Sequence, residues 1–253
     1  MKLIVAVVLV AISACASAQP LLEFRNDLAF DVQIVDAAAA RAYRAQLETF
    51  ATDHRLDADP LFLNRLRRIV DRLKVAATIE RADAAFIPWE IHTCRRCNEN
   101  ASAMAGGKLL VGEEFVSRLK LSDDELGYLV AHEMGHVLSE HSREYATTAR
   151  FFAGNGKNRD YEDIQNELNE SIVLSLDMAS LARHQEFEAD FVGFVLGARS
   201  GFEPAAMMQL LQKLSGEQTP SFGPHTLVGE RIARATAMLE TARRIRESFA
   251  QTK

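Results

Sequence analysis

The sequence predicts an α+β fold that is mostly helical, with a small β-sheet beside one well-defined helix. Apolar residues recur at helical spacing over most of the chain, while strand-like patterning is confined to two short runs before residue 112. Size supports a single core, because 253 residues of which 48% are hydrophobic can bury one sizeable interior but not two large domains. Glycine and proline occur in ordinary numbers, which excludes a collagen-like or largely disordered chain. The net charge of −6, without a basic block, gives no electrostatic reason to expect nucleic acid.

Residues 1–18 read as a leader outside the fold. Lys2 supplies a short positive region, residues 3–12 are apolar, and Ala16-Ser17-Ala18 is a small-residue cleavage site. Ile12-Ser13-Ala14-Cys15 offers a second reading as a bacterial lipobox, with Cys15 lipidated as a membrane tether. Both readings export the protein, and the expected location is the bacterial periplasm. Residues 19–36 are expected to form an extended lead-in, and residues 37–253 the functional domain.

Residues 37–50 are Ala-rich and read as a helix. Asp59-Pro60 opens a second, over residues 61–77, with Pro60 suited to the first turn. Residues 86–92 and 108–111 read as strands, separated by a turn and by Gly106-Gly107. In an exported protein Cys94 and Cys97 are most simply a local disulfide, with half a metal site or a redox pair as alternatives. Ser122-Asp-Asp-Glu125 is a capping box, and the helix it opens is expected to run past His141. One long helix is expected over residues 161–199, ended by Gly201. A shorter one follows Pro204, then a loop over residues 218–225, and a last helix over residues 227–249.

The chemistry lies in His132-Glu133-Met134-Gly135-His136, within the capped helix. Histidines four apart share one face, so both imidazoles can reach a single Zn²⁺. Glu133 sits about 100° round the helix, where it can serve as a base without being a ligand. A catalytic zinc needs a third protein ligand. His141 would lie about 140° round a continuous helix from His136 and face away. Glu186 in Glu186-Phe187-Glu188-Ala189-Asp190 is the better candidate, on a helix expected to pack against the first through Leu, Ile and Val positions. Asp190 shares the face of Glu186 and can accept an N–H from a ligand histidine, while Glu188 is expected to point elsewhere as a solvated charge.

Over residues 61–237 the chain resembles the HtpX-like gluzincin peptidases, which include the CAAX prenyl endopeptidase and periplasmic proteases of outer-membrane quality control. The resemblance rests on the two motifs above, on Asn100-Ala101-Ser102-Ala103 with Gly106-Gly107, and on His225 followed by Arg231. It departs at Pro224, which precedes His225 where the family has proline after it. The resemblance implies a zincin-type domain that cleaves exported, misfolded or unassembled polypeptides. His132, His136 and Glu186 would hold one Zn²⁺, with Glu133 as catalytic base. The strand at residues 108–111 would pair with extended substrate as an edge strand. His225 would stabilise the oxyanion or act as a removable fourth ligand, with an ordinary polar loop histidine as the alternative, and Arg231 would support the site through acidic contacts, with a solvated helix charge as the alternative. A chaperone-like binding protein with a latent zinc site is the alternative reading.

Overall fold

The computed structural model describes residues 27–97, 100–153, 159–216 and 228–250. Residues 1–26 with Cys15, residues 154–158 and residues 217–227 with His225, on which the expected leader and loops fall, lie outside the described residues.

Helix α1 spans Val32–Thr52, capped by the Asp31 carboxylate, which accepts from Gln33 N at 2.7 Å. That cap starts the helix inside the segment expected to be an extended lead-in. Helix α2, Pro60–Glu80, begins as the sequence indicates, with Asp59 accepting from Leu61 N and Phe62 N. A short 3-10 turn over Ala82–Phe86 follows, so strand β1 is displaced past Pro88 to Glu90–Cys94. Strands β2, Ala101–Met104, and β3, Lys108–Gly112, complete the sheet. Cys94 and Cys97 are joined by a disulfide at the end of β1.

The sheet order is β1-β3-β2, with β3 parallel to β1 and antiparallel to β2. This corrects the expectation that residues 108–111 form an edge. Both sides of β3 are paired; the outer strands are β1, bridged at Cys94 by Leu56, and β2, whose outer side has no strand partner among the described residues. Alternation along β3 serves two interiors: Leu109 and Val111 join the main core, while Leu110 packs with Tyr43, Leu47 and Phe50 of α1.

Short helix α3, Glu113–Arg118, leads to α4, Asp123–Leu138. The capping box forms as expected: Glu125 N donates to Ser122 Oγ, and Ser122 N donates to Glu125 Oε2. Helix α4 does not run past His141. It stops at Leu138, Glu140 takes a left-handed conformation (φ 56°), and α5 restarts at His141–Phe152. The long helix expected over residues 161–199 is divided into α6 (Tyr161–Glu170), α7 (Ile172–Asp177) and α8 (Ala179–Arg199). Ser171 is extended and uses its hydroxyl to cap the start of α7, a local alternative that helical periodicity does not reveal. Helices α9, Ala205–Ser215, and α10, Val228–Ala250, close the fold. No helix among the described residues is long and apolar enough to cross a membrane.

The main core gathers α2, α4, α8, α9, α10 and one face of the sheet. The expected aliphatic positions of α4 and α8, among them Leu126, Val130, Val192 and Leu196, share this core, and at the crossing itself small residues bring the two backbones close. A Cβ on Gly193 would lie 2.8 Å from His132 N, and one on Gly135 would lie 2.9 Å from Ala189 O. Backbone cannot move aside as a flexible side chain can, so Gly193→Ala is expected to cost about 1–3 kcal/mol. Thermal unfolding checks this: Tm should fall by several degrees, at about 2–4 °C per kcal/mol for a domain of this size.

Candidate metal centre

The crossing of α4 and α8 brings three donor groups together. His132 and His136 project from successive turns of α4, and Glu186 faces them from α8. His136 Nε2 lies 3.2 Å from His132 Nε2 and 3.2 Å from Glu186 Oε1, and His132 Nε2 lies 3.5 Å from Glu186 Oε2. Bonds of about 2.0–2.2 Å at tetrahedral angles hold donor atoms roughly 3.3–3.5 Å apart, so the arrangement fits one zinc ion, with three ligands supplied by the described residues.

Glu186 and His132 are buried, and Glu133 is buried beside them on the wall of a cleft of about 1100 Å³. Ser102, Ala103 and Met104 of β2 form part of the facing wall. An adjoining recess of about 220 Å³, walled by Val35, Ile87 and Val137, shares Ala105, His136 and Ser142 with the cleft.

Behind the donors, Asp190 Oδ1 lies 3.0 Å from His132 Nδ1. Arg231 reaches in from α10 and clamps the same carboxylate, Nη2 donating to Oδ1 at 2.7 Å and Nε to Oδ2 at 2.8 Å. Arg231 is itself buried, so this is a bidentate pair in a low-dielectric setting and not a solvated helix charge. Burial alone would raise the Asp190 pKa, but hydrogen bonds from His132 and Arg231 outweigh it and hold the carboxyl below its usual range.

The two histidines are tuned in opposite directions. Burial and Arg231 both disfavour the His132 imidazolium, yet hydrogen bonds to Asp190 and Glu186 prevail and hold its pKa up to about 9. A metal ion at Nε2 would take the place of that proton. Burial dominates at His136 and pushes its pKa down to about 3, leaving a neutral ring with a lone pair to offer.

Two residues occupy places other than those expected from helical geometry. The break at Glu140 turns His141 back, so that its Nδ1 lies 2.9 Å from His136 Nδ1 instead of facing away. Glu188 is not simply solvated: its Oε2 lies 3.5 Å from His141 Nε2. A left-handed glutamate carries no Gly, Asn or Pro signal, so sequence spacing alone had nothing to reveal it. The Gly193 and Gly197 pair on α8 was a readable sign of a close helix crossing.

Comparison with known proteins agrees with this geometry. The profile of peptidase family M48 matches residues 63–239. Similar proteins include the mitochondrial metalloendopeptidase OMA1 of Schizosaccharomyces pombe, 26% identical over 167 residues, covering 64% of this chain and 46% of that protein. The protein of the same name from Saccharomyces cerevisiae is 24% identical over 156 residues, with 60% and 44% covered. That from Arabidopsis thaliana is 27% identical over 128 residues, with 51% and 26% covered. The chain thus spans less than half the length of these relatives. All three carry mitochondrial names, which overturns the bacterial periplasmic location expected from the leader, and that assignment is withdrawn. The matched region runs from α2 into α10 and takes in both motif helices, and on that ground the chain belongs to peptidase family M48, a family of gluzincin metallopeptidases.

Proposed function

We propose that this chain is a zinc endopeptidase that hydrolyses internal bonds of unfolded polypeptide segments. The observation that carries the reading is the trio of donor atoms at zinc-ligand spacing on a cleft lined by the outer strand β2. His132, His136 and Glu186 would hold the ion. When bound, zinc polarises the scissile carbonyl and acidifies a water towards a pKa of about 7.

The protein's own groups then divide the work. Glu133 receives the proton of the attacking water on its carboxylate and passes it to the leaving amine. Asp190, anchored by Arg231, keeps the His132 ring turned so that Nε2 faces the donor set. The outer edge of β2 aligns substrate by main-chain hydrogen bonds, which requires the substrate to be extended. The recess beside His136, where Val35, Ile87 and Val137 stand among charged residues such as Asp36, Arg81 and Arg143, receives a side chain next to the scissile bond.

Main-chain pairing along β2 needs an extended segment, which an unfolded chain offers and a folded domain does not. The purified chain is therefore expected to cleave casein or a reduced, unfolded protein, and to leave the same protein intact when folded. Chelation should abolish cleavage and stoichiometric zinc should restore it. A zinc-loaded chain that leaves every unfolded substrate intact would count against the proposal.

A further inference from the structure

His141 lies 2.9 Å from His136 through the two Nδ1 atoms, and its Nε2 lies 3.5 Å from Glu188 Oε2. The contact exists only because α4 is broken. On a continuous helix His141 would sit about 140° round from His136, pointing away from the donor set. The break is itself a built feature. Glu140 is buried, in a left-handed conformation that a β-carbon disfavours, and its carboxylate is held by Arg143. The guanidinium of Arg81, just past the end of α2, donates to the Leu138 carbonyl at the end of α4. His141 is also buried, and Gln185 Nε2 donates to its main-chain oxygen at 3.1 Å, which fixes the start of α5.

We infer that His141 and Glu188 are positioning residues for His136, forming a second orienting arm that mirrors the Asp190–Arg231 arm behind His132. The inference rests on the donor set proposed above. In this arm His136 Nδ1–H donates to His141 Nδ1. That leaves the hydrogen of His141 on Nε2, facing the Glu188 carboxylate. The assignment places the lone pair of His136 on Nε2, the atom that faces His132 and Glu186 at 3.2 Å. Each histidine of the donor set thus has its tautomer set from behind by its own partner: a carboxylate for one, and an imidazole backed by a carboxylate for the other. Both arms act through the rings of the donor set, although His141 also lines the cleft. Their contribution is to hold two rings at the angle one ion requires.

The test needs no cleavage, so it is separable from the peptidase proposal. Nitrogen-15 chemical shifts of the imidazoles in the unaltered zinc-free chain should show His136 as the Nδ1–H tautomer. Competition with a chromogenic chelator should show zinc affinity about 10–100-fold weaker in His141→Leu, and partly recovered in His141→Gln, whose amide oxygen can accept the same hydrogen bond. Glu188→Ala should give a smaller loss in the same direction. A merely structural His141 predicts a different result: a His141→Leu chain with native circular dichroism that binds zinc within twofold of the unaltered chain. That result, or an Nε2–H tautomer at His136 in the unaltered chain, overturns the inference. The tautomer measurement decides the matter even where the leucine variant does not fold.

Discussion

Glu133→Gln is expected to lower the rate of peptide cleavage by about 10²–10⁴-fold, the usual contribution of a positioned general base. Zinc content should stay at one ion per chain. The substitution keeps the side chain's length and removes only the ability to take a proton. Glu133 lies one residue from His132 but turns to the cleft wall, outside the trio formed by His132, His136 and Glu186. Its loss should therefore leave the metal set untouched, and the effect should fall on kcat with little change in KM. Two assays check this together: metal content of the purified variant and steady-state cleavage of an unfolded substrate. Cleavage at the unaltered rate would remove Glu133 from the reaction. The same variant separates a peptidase from a protein that uses its zinc site only for binding, because a binding protein has no use for the base.

The second large effect is expected at Arg231, which lies on a different helix from every donor. Arg231→Met leaves the Asp190 carboxylate buried with His132 as its remaining partner in the clamp. Removing one member of a buried charge pair costs about 3–5 kcal/mol. At about 2–4 °C per kcal/mol that is a fall in Tm on the order of 10 °C. The double variant Arg231→Met with Asp190→Asn should regain part of the loss, since it also removes the stranded charge. Acid unfolding gives an independent check. Asp190 is held below the ordinary carboxylate range, so its contribution is present above the unfolded value of about 3.9 and is lost as pH falls through its lower folded value. In Arg231→Met that folded value rises, and the loss should set in at higher pH. A change in Tm of less than about 2 °C, under 1 kcal/mol on the same scale, would contradict the clamp.

These residues also show what could be read from sequence and what could not. The helix carrying His132 and His136 was legible because its signals are local: a capping box at one end and a fixed four-residue spacing. Glu186 and Asp190 followed from the requirement for a third ligand, met by carboxylates sharing a helix face. Arg231 came from the resemblance, since nothing in its own helix marks it as buried. Strand β3 was found, but its place in the sheet was not, because edge and centre depend on which strands pair with it. Helix α1 began five residues early on an Asp31 cap. The 161–199 stretch divided at Ser171, where a side-chain cap competes with the helix. The break at Glu140 was the most consequential of these, because a non-glycine residue in a left-handed conformation is imposed by tertiary partners such as Arg143. It alone decides that His141 meets His136.

The central claim is that one zinc ion is held between α4 and α8 by His132, His136 and Glu186. Anomalous diffraction at the zinc absorption edge, from crystals of the purified chain, tests it most directly. The account predicts a single strong peak about 2.0–2.2 Å from Nε2 of both histidines and from a Glu186 oxygen. A peak whose protein ligands leave out Glu186, or no peak between the two helices, would contradict it.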